Sequence, residues 1–159
     1  MMRHGILLTA ALMAATAGCT APAARNQGSE NGRSWIVVSD KAAADVLRTC
    51  SRASPDAVAS LPRWVPQQVD ILALEQALPT LAPLRAGAAT ASDERQYVGI
   101  VRDGRRLIYV NAWPANKLRE RADPAHNAVR VCDGGPQFWG AVWDPASKTF
   151  SEHVGNGGF

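Results

Sequence analysis

Tyr97-Val98-Gly99-Ile100-Val101-Arg102-Asp103-Gly104-Arg105-Arg106-Leu107-Ile108-Tyr109-Val110-Asn111-Ala112-Trp113 decides the fold. Two runs of β-branched and aromatic residues flank Asp103-Gly104, a dipeptide suited to the two positive φ angles of a tight hairpin turn. A two-residue turn sets Val101 opposite Arg106, Ile100 opposite Leu107, Gly99 opposite Ile108 and Val98 opposite Tyr109. That register assigns each side chain to a face. Val98, Ile100, Leu107, Tyr109 and Trp113 share one face, and Tyr97, Val101, Ile108, Val110 and Ala112 share the other. Both faces are apolar, whereas an antiparallel sheet with a solvated back alternates polar and apolar residues, so both need a cover.

Downstream, Phe138 to Trp143 repeats the pattern, with Phe138 and Val142 on one side and Trp139, Ala141 and Trp143 on the other. Asp144-Pro145 turns this strand into another over Thr149 to Val154, and Val129 to Asp133 reads as a strand ended by Gly134-Gly135-Pro136. Pro114 to His126 reads as a polar loop or short helix. Upstream, Trp35-Ile36-Val37-Val38 is β-rich, and Ser39 caps a helix whose positions Ala43, Val46, Leu47 and Cys50 follow helical spacing. A second helix starts at Pro66 and runs to about Leu78. The expected class is α+β, with two N-terminal helices packed on an antiparallel sheet of about four to five strands. Two helices on one side leave the second face to the irregular Pro79 to Arg95 segment or to a partner. In the second case Tyr109, Trp113, Trp139 and Trp143 are the partner-binding candidates, because grouped exposed aromatics mark interaction sites.

The amino terminus gives an address. Arg3 and His4 precede an uncharged apolar run, Gly5 to Ala17, of signal-peptide length and too short and dilute to span a bilayer. Thr16-Ala17-Gly18-Cys19 resembles the lipobox of bacterial lipoproteins, although Thr16 stands where that pattern has Leu and Ala15-Thr16-Ala17 also reads as an ordinary cleavage site. The resemblance implies acylation of Cys19 and, with Thr20 following, sorting to the outer membrane on its periplasmic side; a soluble periplasmic protein is the alternative. Residues 1–18 are then signal peptide, 19–32 a flexible tether without apolar periodicity, and 33–159 one α+β domain. Removing Arg3 takes the net charge from +3 to +2, too small an excess to suggest nucleic acid as a partner.

Lipidating Cys19 leaves Cys50 and Cys132, a number that pairs in an oxidising compartment. A free thiol or a metal site are the alternatives, and neither cysteine has a neighbour at ligand spacing.

Catalytic and cofactor signals are weak. His126 and His153 are the histidines of the mature chain, and neither lies in a recognisable nucleophile or metal motif. Glu75, Glu94, Asp103, Asp133 and Asp144 offer carboxylates for glycosidase chemistry, with no pair placed by the sequence. The Gly134-Gly135 turn has neither the following helix nor the Lys-Ser/Thr of a phosphate loop, and Asp133 reads as a turn acceptor. No cofactor or metal set is legible, nor is the oligomeric state.

Gln96 to Asn111, with Val131-Cys132-Asp133-Gly134-Gly135-Pro136-Gln137-Phe138-Trp139-Gly140 and the closing Asn156-Gly157, resembles small exported proteobacterial proteins, a likeness that brings no activity with it. The expectation is a lipid-anchored periplasmic or outer-membrane protein that binds another protein, as an inhibitor, an immunity-type protector or an envelope accessory factor. A small envelope hydrolase and a purely structural lipoprotein are the competing readings.

Overall fold

The 103–104 turn has both residues at positive φ, 53° at Asp103 and 74° at Gly104, and closes a ten-rung hairpin. Its strands are β3 (Asp93–Arg102) and β4 (Arg105–Pro114), in the register read from the sequence. The computed structural model describes residues 27–30, 33–53, 55, 62–82, 92–115, 117 and 123–158. Around the hairpin lie β1 (Gln27–Glu30), β2 (Arg33–Val37), β5 (Trp139–Asp144) and β6 (Thr149–Gly155), in spatial order β1-β2-β3-β4-β5-β6. All neighbours pair antiparallel except β2 and β3, which are parallel.

The expected class is overturned. The sheet is six-stranded and mixed, the described chain is mostly β, and its two helices, α1 (Asp40–Leu47) and α2 (Gln68–Ala77), do not share a face. The cause is the parallel β2–β3 pair, whose long connection carries both helices. Leaving β2, α1 lays Ala42, Ala43, Val46 and Leu47 on Val98, Ile100, Leu107, Tyr109 and Val142. The chain then passes along β3 where β2 stops: Arg63 pairs with Ile100, and the Trp64 indole N–H reaches the carbonyls of Ile100 and Leu107. Beyond that crossing, α2 starts at a reciprocal cap between Gln67 and Asp70 and sets Ile71 and Leu74, followed by Leu78, on the opposite face. There they meet Trp35, Val37, Tyr97, Ile108, Val110, Trp139, Ala141 and Trp143. One helix on each side explains the two apolar faces.

Three local expectations also change. Val129 to Asp133 forms no strand, since its groups bond to side chains: the Gln96 amide oxygen accepts from Val129 N–H, and the Val129 carbonyl accepts from Asn111. Cys50 lies beyond the end of α1 at Leu47 and is exposed, not on a buried helix face. Gln27–Glu30, at the end of the stretch read as tether, is an edge strand. Residues 1–26 lie outside the described residues.

Candidate functional site

At the end of the sheet opposite the 103–104 turn, three segments meet: 48–53 after α1, 128–138 before β5, and 156–158 after β6. The Cys50–Cys132 disulfide joins the first two, with a Cα separation of 5.4 Å. Main-chain bonds join the third to both, from Gly157 N–H to the Ser51 carbonyl and from Gly135 N–H to the Gly157 carbonyl, each 2.9 Å. Gly135 and Asp133 take positive φ, and Asp133 N–H donates to Ser51 Oγ, so Asp133 acts in the turn.

Arg52 is the polar centre of this end. Its Nε and Nη2 donate to the Tyr109 hydroxyl at 3.1 and 3.0 Å, Nη2 donates to Asn111 Oδ1 at 2.5 Å, and Nη1 donates to Asn156 Oδ1. Asn111 donates on to Gln96 at 3.1 Å, and Gln96 donates to the carbonyls of Pro124 and Asn127. Asn156 donates to the Val131 carbonyl. The guanidinium is thus held by neutral acceptors. Burial raises the Tyr109 pKa, and the nearby Arg52 charge only partly offsets it. Gly140 makes room for the arrangement, because a Cβ there would stand 2.5 Å from the Tyr109 oxygen and 2.9 Å from Arg52 Nε.

Beside this network is a narrow cleft of about 10 Å³, room for about one water or one oxygen of a ligand group. Its walls include Arg48, Arg52 and Arg130 and, among the described residues, no carboxylate; Arg48 pairs with Asp45, outside that lining, at 3.5 Å. Arg48 and Arg130 are exposed and Arg52 is half-buried. Fixed donors with local positive charge suit an anionic group presented from outside.

The residues singled out from the sequence divide sharply. Cys50 and Cys132 come together, and Cys19 lies outside the described residues. Tyr109, Trp113, Trp139 and Trp143 are each buried to within 2 % of full and form no surface patch. Tyr109 supports Arg52. The indoles of Trp113 and Trp139 donate to Glu94 and Asp93 at 3.0 and 2.6 Å, and Trp143 packs on Phe150 with ring centroids 4.6 Å apart. The carboxylates are dispersed: Glu75 binds Arg95, Glu94 binds Trp113, Asp144 binds Arg105, and Asp103 sits in the turn. His126 contacts Asp123 through Nδ1 at 2.5 Å, while His153 lies edge-on to Trp139. Among the described residues no group of three His, Cys, Asp or Glu side chains is placed to hold a metal ion. Nor is any described helix long and apolar enough to cross a membrane.

Sequence reasoning missed Arg48, Arg52 and Arg130. Their signal was proximity to cysteines, since each lies two residues from Cys50 or Cys132, but only the fold shows that they share a cleft. No protein-family model matches the chain, and neither curated proteins nor solved structures yield a match.

Proposed function

We propose that the protein is exported, is anchored through acylated Cys19 in the outer membrane facing the periplasm, and acts by binding another envelope protein. The contact is made by the disulfide-tied end of the sheet, in the manner of an inhibitor, a protector or an accessory factor. The carrying observation is the cleft lined by Arg48, Arg52 and Arg130, with no carboxylate among its described lining residues, on loops already braced by a disulfide and main-chain bonds. Braced loops lose little conformational entropy on docking. The arginines select an acidic partner surface.

Two measurements test this reading. The intact mass of membrane-extracted protein, before and after reduction and alkylation, carries the acyl mass on Cys19 and shows Cys50 and Cys132 oxidised. A photo-reactive residue at position 130 then retrieves an envelope protein. Its purified form loses about tenfold or more in affinity with Arg48→Ala plus Arg130→Ala, and weakens with added salt. An unacylated mass refutes the anchor; affinity indifferent to both arginines and to salt refutes the contact.

A further inference from the structure

The end of the sheet carrying the 103–104 turn has its own surface character. Val65 and Val69 are 53 % and 70 % exposed, two of only three large apolar side chains so exposed among the described residues. Val65 lines a groove of about 440 Å³ together with Trp64, Arg105, Arg106 and the carboxylates Asp70 and Asp144, and Val69 precedes Asp70 in α2. The Arg106 guanidinium lies 5.5 Å from the Trp64 ring centre, and Arg105 pairs with Asp144 from a largely exposed position. Exposed valines and exposed arginines at one end match the layering of a phospholipid interface, where apolar groups enter the acyl boundary and guanidinium groups meet phosphate.

Strand directions bring this end towards the anchor. Gln27 pairs with Ile36, and Ile36 with Gln96. Because β1 runs antiparallel to β2, and β2 parallel to β3, the chain enters β1 from the side of the 103–104 turn. From the level of Gln96 to Arg102 is six residues, about 20 Å along the strand. Between Cys19 and Gln27 lie residues 20–26, and seven residues reach at most about 25 Å. An acyl chain on Cys19 therefore holds the domain close to the bilayer, and a tether continuing in the direction of β1 leads to the turn-bearing end. Reaching the bilayer from the disulfide end requires the same seven residues to double back.

We propose that the anchored protein rests its turn-bearing end on the phospholipid surface, with Val65 and Val69 at the acyl boundary and Arg105 and Arg106 at the phosphates. The disulfide end then faces away from the bilayer. The inference rests on the acylation of Cys19 proposed above.

The test uses full-length protein extracted from membranes and reconstituted into vesicles of phosphatidylethanolamine and phosphatidylglycerol. A diazirine amino acid is placed at position 65, 69 or, as control, 133, and its adducts are identified by mass. Phospholipid adducts at 65 and 69, at least about fivefold above those at 133, are the expected result; the valines are exposed, so substitution leaves the core intact. Acylated protein with no phospholipid adduct at 65 or 69, with equal adducts at 133, or with a protein cross-linked at 65 or 69 overturns the docking face and leaves the anchor standing. Protein without the acyl mass overturns the anchor, and the docking face with it.

Discussion

Glu75 and Arg95 form a two-pronged ion pair inside the protein, Arg95 Nε to Glu75 Oε1 at 3.0 Å and Nη2 to Oε2 at 2.7 Å. Tyr97 closes the triangle by donating its hydroxyl to Glu75 at 2.5 Å. Burial holds the Tyr97 pKa well above its ordinary value, so the phenol keeps the proton it donates. Burial also works to lower the Arg95 pKa, but Tyr97 and Glu75 outweigh it and leave it raised. The pair fastens α2 to β3 across the apolar layer. Glu75→Ala strands a buried guanidinium and is expected to cost about 3–5 kcal/mol in urea unfolding. Replacing both partners by Leu and Met is expected to cost much less, because no unpaired charge remains.

The disulfide spans 82 residues of sequence, a closure that the loop-entropy model values at roughly 4–5 kcal/mol. Both cysteines are exposed, so dithiothreitol is expected to reach the bond without prior unfolding. Reduced protein, or Cys50→Ser with Cys132→Ser, is expected to unfold at lower denaturant by about 2–4 kcal/mol. Amide exchange is expected to quicken first in residues 48–53 and 128–136, and much less in β3 and β4.

How much of this was legible follows from where each constraint originates. Local chemistry gave the hairpin: Asp103-Gly104 set the turn, and the turn set the register of β3 and β4. Cysteine parity pointed to the bridge, and helical spacing placed α1 and α2 to within a few residues. The faces used by the helices were not legible, because a parallel β2–β3 pair depends on a contact between distant segments that leaves no periodic trace. The same gap misplaced the aromatics. Trp139 and Trp143 looked available only while α2 was assigned to the other side. The Arg52 cleft was hidden for a related reason, since Asn111, Asn156 and Arg52 are brought together by three different chain segments.

His153 makes stability depend on pH. Its ring lies 5.1 Å from Trp139, its buried Nε2 has no hydrogen-bond partner among the described residues, and burial lowers its pKa below 6.5. Between the folded value and 6.5 the unfolded chain binds more protons, so stability falls as pH drops through that window and levels off above it. The depressed pKa of Asp144, held down by the Ala146 and Ser147 contacts against burial, produces a separate loss only in stronger acid. Thermal melts are expected to show a lower Tm at pH 5.5 than at pH 7.5. His153→Phe is expected to flatten that difference; an unchanged slope in the variant assigns it elsewhere.

Gly140 links the sheet to the arginine cleft, so it separates stability from binding. Its φ is not positive; the need for glycine is one of space, because a methyl group would meet the Tyr109 oxygen and Arg52 Nε. Of these neighbours, Tyr109 is fixed in the core under α1, while Arg52 is on a loop and is the one able to retreat. Gly140→Ala is therefore expected to displace Arg52 from Tyr109 and Asn111 and to cost about 1–3 kcal/mol of stability. Gly104→Ala, which has no atom near its added methyl, meets backbone strain at φ +74° without touching the cleft. If Arg52 shapes the contact surface, Gly140→Ala weakens partner affinity at temperatures where the variant remains folded, and Gly104→Ala does not. Titrating both folded variants against the retrieved partner checks this, and equal affinities would remove Arg52 from the contact.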